Sequence, residues 1–176
     1  MPPKAVTDAA SKLREETNHP FALNFLLFAV EDEAFQAALN SNPPAIAFAW
    51  PRGDQDIASY IDRAHDAGAK VTFMVNEVTG AEKAVEAGAD VVVAQGTEGG
   101  GHVGWMASLA FTPLVVDAVA PTPVLTAGGV ADGRGLAASL ALGADGVLLG
   151  TRFLATDESP LHANFKQAIL DSDGHD

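Results

Sequence analysis

The 176-residue chain has 48% hydrophobic and 19% charged residues, a composition that excludes an intrinsically disordered protein and suffices for one domain with a substantial core. Its 23 acidic residues outnumber 10 basic ones, and the formal net charge of -13 repels phosphate backbones, so we expect no nucleic-acid partner. Cysteine is absent, which excludes disulfides, thiolate metal sites and a cysteine nucleophile.

The N-terminal segment does not resemble an export signal, because no apolar stretch follows Lys4. The longest apolar runs, such as residues 25–30 and 91–94, have the length of strands and are too short to span a bilayer. We therefore predict a cytoplasmic protein without a membrane partner.

Short apolar runs alternate with amphipathic segments along the chain. The predicted strands cover residues 21–28, 45–49, 70–75, 90–94, 123–126 and 146–149. The predicted helices cover residues 5–16, 32–39, 54–67, 80–87, 112–119, 133–142 and 161–170. Three of these helices are expected to end at a glycine in the left-handed conformation, namely Gly68, Gly88 and Gly143, each followed by alanine and then a strand.

Strands that are apolar throughout are typical of a parallel sheet covered on both faces. Strict alternation of strands and helices predicts an α/β fold with right-handed crossovers. A doubly wound sheet and a barrel both satisfy this pattern, but a complete eight-unit barrel typically takes about 250 residues. We therefore predict a single α/β domain over residues 1–176, built either as a doubly wound sheet or as a barrel. As a barrel, it would be an incomplete one of about six strands, one closed by fewer strands, or one in which another subunit of a homo-oligomer covers the gap.

Glycine-rich loops follow three predicted strands, at the edge where parallel α/β proteins bind ligands. The first loop, residues 95–104, carries five glycines, and His102 directly follows its three consecutive glycines at 99–101. The later loops contain Gly128, Gly129, Gly150 and Thr151. Backbone amides after the last two strands, together with a helix N-terminus, are typical of the phosphate site of barrel enzymes.

Other common site signatures are absent from the sequence. No G-x-G-x-x-G opens a helix, no Gly-Lys-Ser or Gly-Lys-Thr marks a P-loop, and no G-x-S-x-G elbow occurs. The five histidines lack a paired spacing for a metal, so we predict no metal site.

Three segments together resemble the nitronate monooxygenase family, formerly called 2-nitropropane dioxygenases. They are VAQGTEGGGHVG at 93–104, PVLTAGGVADGRG at 123–135 and LGADGVLLGTRFLAT at 142–156. The flavin-dependent enoyl-acyl-carrier-protein reductases are similar in the same motifs. The resemblance runs from about residue 21 to residue 159 and lacks the family's glycine-rich first unit. It therefore implies an FMN-binding TIM barrel truncated at the N-terminus.

The resemblance also implies the roles of individual residues. The positions that match the family's cofactor-binding residues are Asn24, Gln95, Gly100, Gly101, Gly128, Gly129, Gly150 and Thr151. The last four would hold the FMN phosphate, and the others would line or approach the flavin. His102 matches the histidine that acts as catalytic base beside a nitro or nitronate group, a role that suits an imidazole near neutral pH.

The predicted function is the oxidation of alkyl nitronates with O₂ by an FMN-dependent oxidoreductase, in which the cofactor supplies the redox chemistry. Two alternatives stay open at this point. One is an enoyl-acyl-carrier-protein reductase that uses NAD(P)H. The other is an inactive relative that binds FMN, another phosphorylated ligand, or nothing.

Overall fold

The computed structural model describes residues 1–173 and 175 as one parallel sheet flanked by helices. The strands are β1 (Ala22–Leu26), β2 (Ala45–Ala49), β3 (Lys70–Val75), β4 (Val91–Gln95), β5 (Val124–Ala127) and β6 (Gly146–Leu148). The helices are α1 (Pro3–Glu16), α2 (Asp32–Asn40), α3 (Ile57–Asp66), α4 (Val78–Glu86), α5 (Ser108–Val119), α6 (Gly133–Ala141), α7 (Thr151–Leu154) and α8 (Ala163–Asp171). A 3₁₀ turn, Leu27–Ala29, follows β1.

The six strands lie in sequence order, and every neighbouring pair is parallel. Within the described part of the chain, β1 and β6 form the two edges of the sheet and do not pair with each other. The predicted incomplete barrel of six strands is therefore confirmed, and closure of the barrel by fewer strands is wrong. None of the helices in the described residues combines the length and apolarity that crossing a membrane requires.

The largest boundary difference concerns α5, which begins at Ser108 rather than at residue 112. The cause is a carboxylate from the preceding loop, Glu98, which accepts hydrogen bonds from the Ser108 amide. β1 ends at Leu26 because the 3₁₀ turn takes the next three residues. α3 begins after Asp56, whose side chain accepts a hydrogen bond from the Ser59 amide, a common N-cap arrangement.

The hydrophobic core lies between the sheet and the helices. Phe35 of α2, Phe48 of β2 and Phe73 of β3 are almost fully buried and form a continuous row. Their neighbouring ring centroids are 5.6 Å and 6.2 Å apart, within the range of favourable aromatic contacts. Burial of these rings orders β2 and β3, the strands whose following loops reach the candidate site.

The repeated Gly-Ala-Asp motif joins neighbouring strands at their N-terminal ends. Asp90 accepts a hydrogen bond from the Val71 amide at 2.8 Å, and Asp145 accepts one from the Val124 amide at 2.9 Å. In return, the amides of the two aspartates donate to the carbonyls of Val71 and Val124. The preceding glycines have left-handed backbones, as predicted for helix-ending residues. The motif is thus a structural device that sets the strand register.

Asp90 has further partners in Lys70, at 2.7 Å, and His65, at 2.9 Å. Burial by itself would raise the pKa of Asp90. The hydrogen bonds from Lys70, Val71 and His65 and the Lys70 charge outweigh burial and lower the pKa from 3.8 to about 2. The ionised carboxylate therefore stabilises the fold at the N-terminal ends of the strands, opposite the glycine-rich loops.

The side of the molecule after β6 carries few buried residues. α7 and α8 bury no side chain fully, and large apolar side chains are exposed on α6, α7 and α8. They are Leu136, Leu140, Phe153, Leu154, Phe165 and Leu170. Coverage of the β6 side of the sheet by another subunit stays a prediction.

Candidate functional site

The loops after β4 and β5 are in direct backbone contact. The Gly96 amide donates to the Ala127 carbonyl at 2.9 Å. A Cβ atom on Gly128 would lie 2.7 Å from the Gly99 nitrogen, so only glycine permits this approach. The φ of +93° at Gly128 is also one that side chains resist. The two glycine loops predicted from the sequence therefore form one joined structure.

Two other glycines of the first loop are closely packed against other segments of the protein itself. A Cβ on Gly96 would lie 2.4 Å from the Ser108 nitrogen, and a Cβ on Gly104 would lie 2.7 Å from the Asn76 carbonyl oxygen. These glycines are required because another segment passes too closely for any side chain. They support the site but leave no room for a ligand.

A second group of glycines faces open space. Apart from the chain neighbours of each glycine, no atom of residues 1–173 and 175 lies within 4 Å of the Cβ position of Gly101 or Gly150, and the Gly101 backbone is left-handed. The Cβ position of Gly100 lies 3.3 Å from the Thr151 hydroxyl oxygen. The structure thus brings the first loop against the loop after β6. A ligand has access to the backbone here.

Glu98 fastens the first loop to the start of α5. Its carboxylate accepts hydrogen bonds from the Ser108 amide at 2.9 Å and 3.2 Å and from the Ser108 hydroxyl at 3.0 Å. Burial would raise the pKa of Glu98, but hydrogen bonds from its own amide and from Ser108 lower it below the ordinary value. The first amide of α5 is therefore taken by a protein carboxylate.

Gln95 is buried at the base of the first loop, with 7% of its surface exposed. Its Nε2 donates to the Gly100 carbonyl at 3.2 Å. Its Oε1 has no hydrogen-bond partner and is the one such buried side-chain oxygen or nitrogen found in residues 1–173 and 175. Since a buried acceptor without a donor costs free energy, a ligand with an N–H or O–H group would be stabilised here.

His102 is exposed and packs against two aromatic rings from the loops after β1 and β2. The ring centroids of Phe28 and Trp50 lie 5.7 Å and 5.4 Å from that of His102. The Phe28 amide donates to the Trp50 carbonyl at 3.0 Å, which joins the two loops. The imidazole therefore lies at the same sheet edge as the glycine loops.

Asn24 lies two residues before the end of β1. Leu23 and Phe25 pack against the helix-covered core, so strand alternation places the Asn24 side chain on the opposite face. Asn24 is exposed and in register with Ala47 of β2. We call this face, opposite to the helix-covered core, the inner face of the sheet.

A cavity of 560 Å³ opens beside this site; it is bounded by the loops after β2 and β3 and extends between α3 and α4 as far as Ala87. Trp50 and Gln95 both line it, and Trp50 also contacts His102. The volume is within the range usual for small-molecule sites. We refer to it below as the Trp50 cavity.

The sequence did not predict the contributions of Phe28, Trp50, Glu98 and Ser108. One signal for Trp50 was present, since an aromatic residue directly after a strand lies at the ligand-binding edge of a parallel sheet. Glu98 was inside the quoted motif, but its partner Ser108 is ten residues away and shares no periodicity with it.

The sequence profile of the nitronate monooxygenase family matches residues 1–176. The chain belongs to the nitronate monooxygenase family. This confirms the resemblance drawn from the three motifs. Enzymes of this family are flavin-dependent oxidoreductases.

Similar proteins include enzymes with different names. A Mycobacterium tuberculosis protein, (3aS,4S,5R,7aS)-5-hydroxy-7a-methyl-1-oxo-octahydro-1H-indene-4-carboxyl-CoA dehydrogenase, is 39% identical over 165 residues, covering 92% of this chain and 45% of that protein. The structure of FabK from Thermotoga maritima matches with a TM-score of 0.89 and 36% identity, over 98% of this chain and 54% of that chain. Nitroalkane oxidase from Streptomyces ansochromogenes matches with a TM-score of 0.81 and 28% identity, over 94% of this chain and 59% of that chain.

The chain thus spans about half the length of these relatives.

Proposed function

We propose that this chain binds FMN at the joined glycine loops and oxidises alkyl nitronates with O₂, and that it contributes the base that forms the nitronate from a neutral nitroalkane. The observation that carries the proposal is the meeting of the three loops: Gly99 against Gly128, Gly100 against Thr151, and His102 at the same edge. The chain covers about half of the length of its relatives, so the test of nitronate oxidation uses this chain rather than a full-length relative.

The residues present fit a phosphorylated flavin. Backbone beside Gly101 and Gly150 is open to a ligand, and Thr151 offers a hydroxyl next to Gly100. Amides of Gly128 and Gly129, which precede α6, suit an anion that backbone groups and a helix N-terminus hold together. The unpartnered Oε1 of Gln95 suits the N–H of a flavin ring.

Each group has a separate task in the proposed reaction. Gly128, Gly129, Gly150 and Thr151 hold the phosphate, while Gln95, Gly100 and Gly101 line the flavin; Asn24, on the inner face of β1, approaches its ring. When the substrate arrives as the neutral nitroalkane, an imidazole nitrogen of His102 accepts the proton from the carbon next to the nitro group and leaves the nitronate; a substrate that arrives as the nitronate has already lost that proton. Bound FMN supplies the redox chemistry with O₂.

The first experiment is a titration of the purified protein with FMN, followed by flavin absorbance and fluorescence. We expect saturable binding by the wild type and an unchanged dissociation constant, within about twofold, for His102→Asn. Oxygen uptake with the neutral nitroalkane should fall by roughly 10²–10⁴-fold in His102→Asn, the usual contribution of a positioned base. Oxygen uptake with the preformed nitronate, which has no such proton to lose, should be retained.

The matched control is His19→Asn. His19 is exposed and precedes β1, so it lies at the opposite edge of the sheet. This variant should retain both FMN binding and turnover. Absence of FMN binding by the wild type, or full turnover of the neutral nitroalkane by His102→Asn, would contradict the proposal.

The similarity to FabK favours testing the second function predicted from the sequence, an enoyl-acyl-carrier-protein reductase that uses NAD(P)H. Anaerobic mixing of the FMN-loaded protein with NADH or NADPH discriminates the two. Rapid bleaching of the flavin by a nicotinamide, without nitronate oxidation, would favour the reductase.

A further inference from the structure

The interior of the Trp50 cavity is uncharged. Its charged lining residues are all exposed, at the rim: Arg52, Asp56, Glu77, Lys83 and Glu86. Its buried and half-buried lining residues are Trp50, Gln55, Ile57, Ala58, Phe73, Met74, Val75, Asn76, Gly80, Ala87 and Gln95. Since the rim carries both signs of charge and the interior is mainly apolar, the cavity suits an apolar group better than an ionic one.

Trp50 is held firmly between this cavity and His102. Its backbone is left-handed, with φ at 55°, which is rare for a bulky residue and persists only where the surroundings enforce it. The enforcing contacts include the Phe28 amide on the Trp50 carbonyl. The Arg52 guanidinium donates to the Phe28 carbonyl at 2.9 Å, and the side-chain Nε2 of Gln55 donates to the Leu27 carbonyl at 2.9 Å. The two loops therefore present the indole in a fixed position.

We propose that the Trp50 cavity is the apolar subsite of the substrate and that Trp50 is a specificity-determining residue. The anionic end of the substrate lies beside Trp50 and His102, and its alkyl or aryl group extends into the cavity. The chemical class selected is nitronates with a medium-length apolar group rather than the smallest members. This assignment rests on the proposed function, whose residues contribute the reacting end of the site.

Binding can be measured without turnover and without flavin. Trp105 is fully exposed, so Trp105→Phe leaves Trp50 as the sole tryptophan with little effect on the fold. Straight-chain alkanoates serve as probes, because a carboxylate has the planar anionic shape of a nitronate and is not oxidised. Trp50 fluorescence should change on titration, and the dissociation constant should fall about fourfold for each added methylene group.

Two cavity-filling variants test where the chain lies. Ala58→Leu on α3 and Ala87→Leu after α4 place extra carbon atoms in the cavity, and both should abolish the gain with chain length. Ala118→Leu is the control, since Ala118 is exposed on α5 and outside the cavity lining. Thermal unfolding confirms that each variant is folded. Because the two substitutions lie on different segments, the same effect in both cannot come from a local distortion at one of them.

The same variants separate this inference from the proposed function. In the FMN-loaded protein, kcat/KM for alkyl nitronates should rise with chain length in wild type and Ala118→Leu, and be flat in Ala58→Leu and Ala87→Leu. Trp50→Ala should lose the preference mainly through KM. Chain-length gains that survive in both filled variants, or no fluorescence response to any alkanoate, would overturn the assignment. Alkanoate binding with no nitronate oxidation would contradict the proposed function and support the apolar cavity.

Discussion

Replacing Gly128 with alanine tests the close contact between the two glycine loops. The new Cβ would lie 2.7 Å from the Gly99 nitrogen and 3.1 Å from the Gly99 Cα, both backbone atoms that move only with the loop. The left-handed φ of +93° adds about 1–2 kcal/mol for a residue with a side chain. Relief of the overlap adds about 1–3 kcal/mol.

These contributions sum to about 2–5 kcal/mol, a large part of the stability of an ordinary domain. For a chain of this size, 1 kcal/mol corresponds to about 2–4 °C in Tm, so Gly128→Ala should lower Tm by roughly 4–20 °C. Circular dichroism during heating, with and without FMN, measures this directly. FMN affinity should fall as well, because the displaced loop carries the amides proposed to hold the phosphate.

Gly133→Ala is the matched control. Gly133 is the first residue of α6, has no positive φ, and has no protein atom within 4 Å of its Cβ position. Alanine there should leave stability unchanged or raise it by up to about 1 kcal/mol. A Tm for Gly128→Ala within about 2 °C of wild type would refute the described contact between the loops.

Three further substitutions probe the scaffold. Asp90, with its pKa lowered to about 2, stabilises the fold fully above about pH 4 and loses this effect as the pH falls through 2. Urea unfolding of Asp90→Asn should therefore show a loss of about 2 kcal/mol at pH 7 that shrinks towards pH 2, and an equal loss at both pH values would contradict the assigned pKa. The buried hydroxyls of Thr112 and Thr126 are 3.0 Å apart, so Thr112→Val should cost about 1–3 kcal/mol, whereas the double valine variant should recover most of it in a double-mutant cycle. Phe48→Ala removes the central ring of the aromatic row and should cost about 3–5 kcal/mol in urea unfolding; a cost below 1 kcal/mol would show that the row is not tightly packed.

Much of the fold could be predicted because the chain marks its own strand boundaries. The Gly-Ala pair before Asp90 and Asp145 ends one helix and starts the next strand, and each glycine is left-handed as expected. The apolar runs between these marks have the composition of buried parallel strands. Local chemistry therefore sufficed for the number and direction of the strands, whereas their order as neighbours in a barrel came from the family resemblance.

The start of α5 could not be predicted from local chemistry. The residues before Ser108 contain no strong capping side chain, and the cap arrives from Glu98 across a loop. The same limit applies to the surroundings of His102. Its aromatic neighbours, Phe28 and Trp50, follow two other strands and come together only after the sheet forms.

The glycine-rich loop illustrates a different limit. Composition alone predicts that backbone approaches something closely at residues 96–104. It cannot distinguish Gly96 and Gly104, which are crowded by this protein's own backbone, from Gly101, which faces open space. The assignment of ligand contacts within one motif therefore required coordinates.

The aspartate hydrogen bonds and the glycine loops occupy opposite ends of the same strands. Asp90 joins the beginnings of β3 and β4, and Asp145 joins those of β5 and β6. The loops extend from the other ends of the strands, roughly 15–20 Å away by the rise of five or six extended residues. A library of loop variants can accordingly be screened for altered substrate range while the opposite rim keeps the strands aligned. Directed evolution of the loops can therefore leave the aspartate hydrogen bonds at the strand beginnings unchanged.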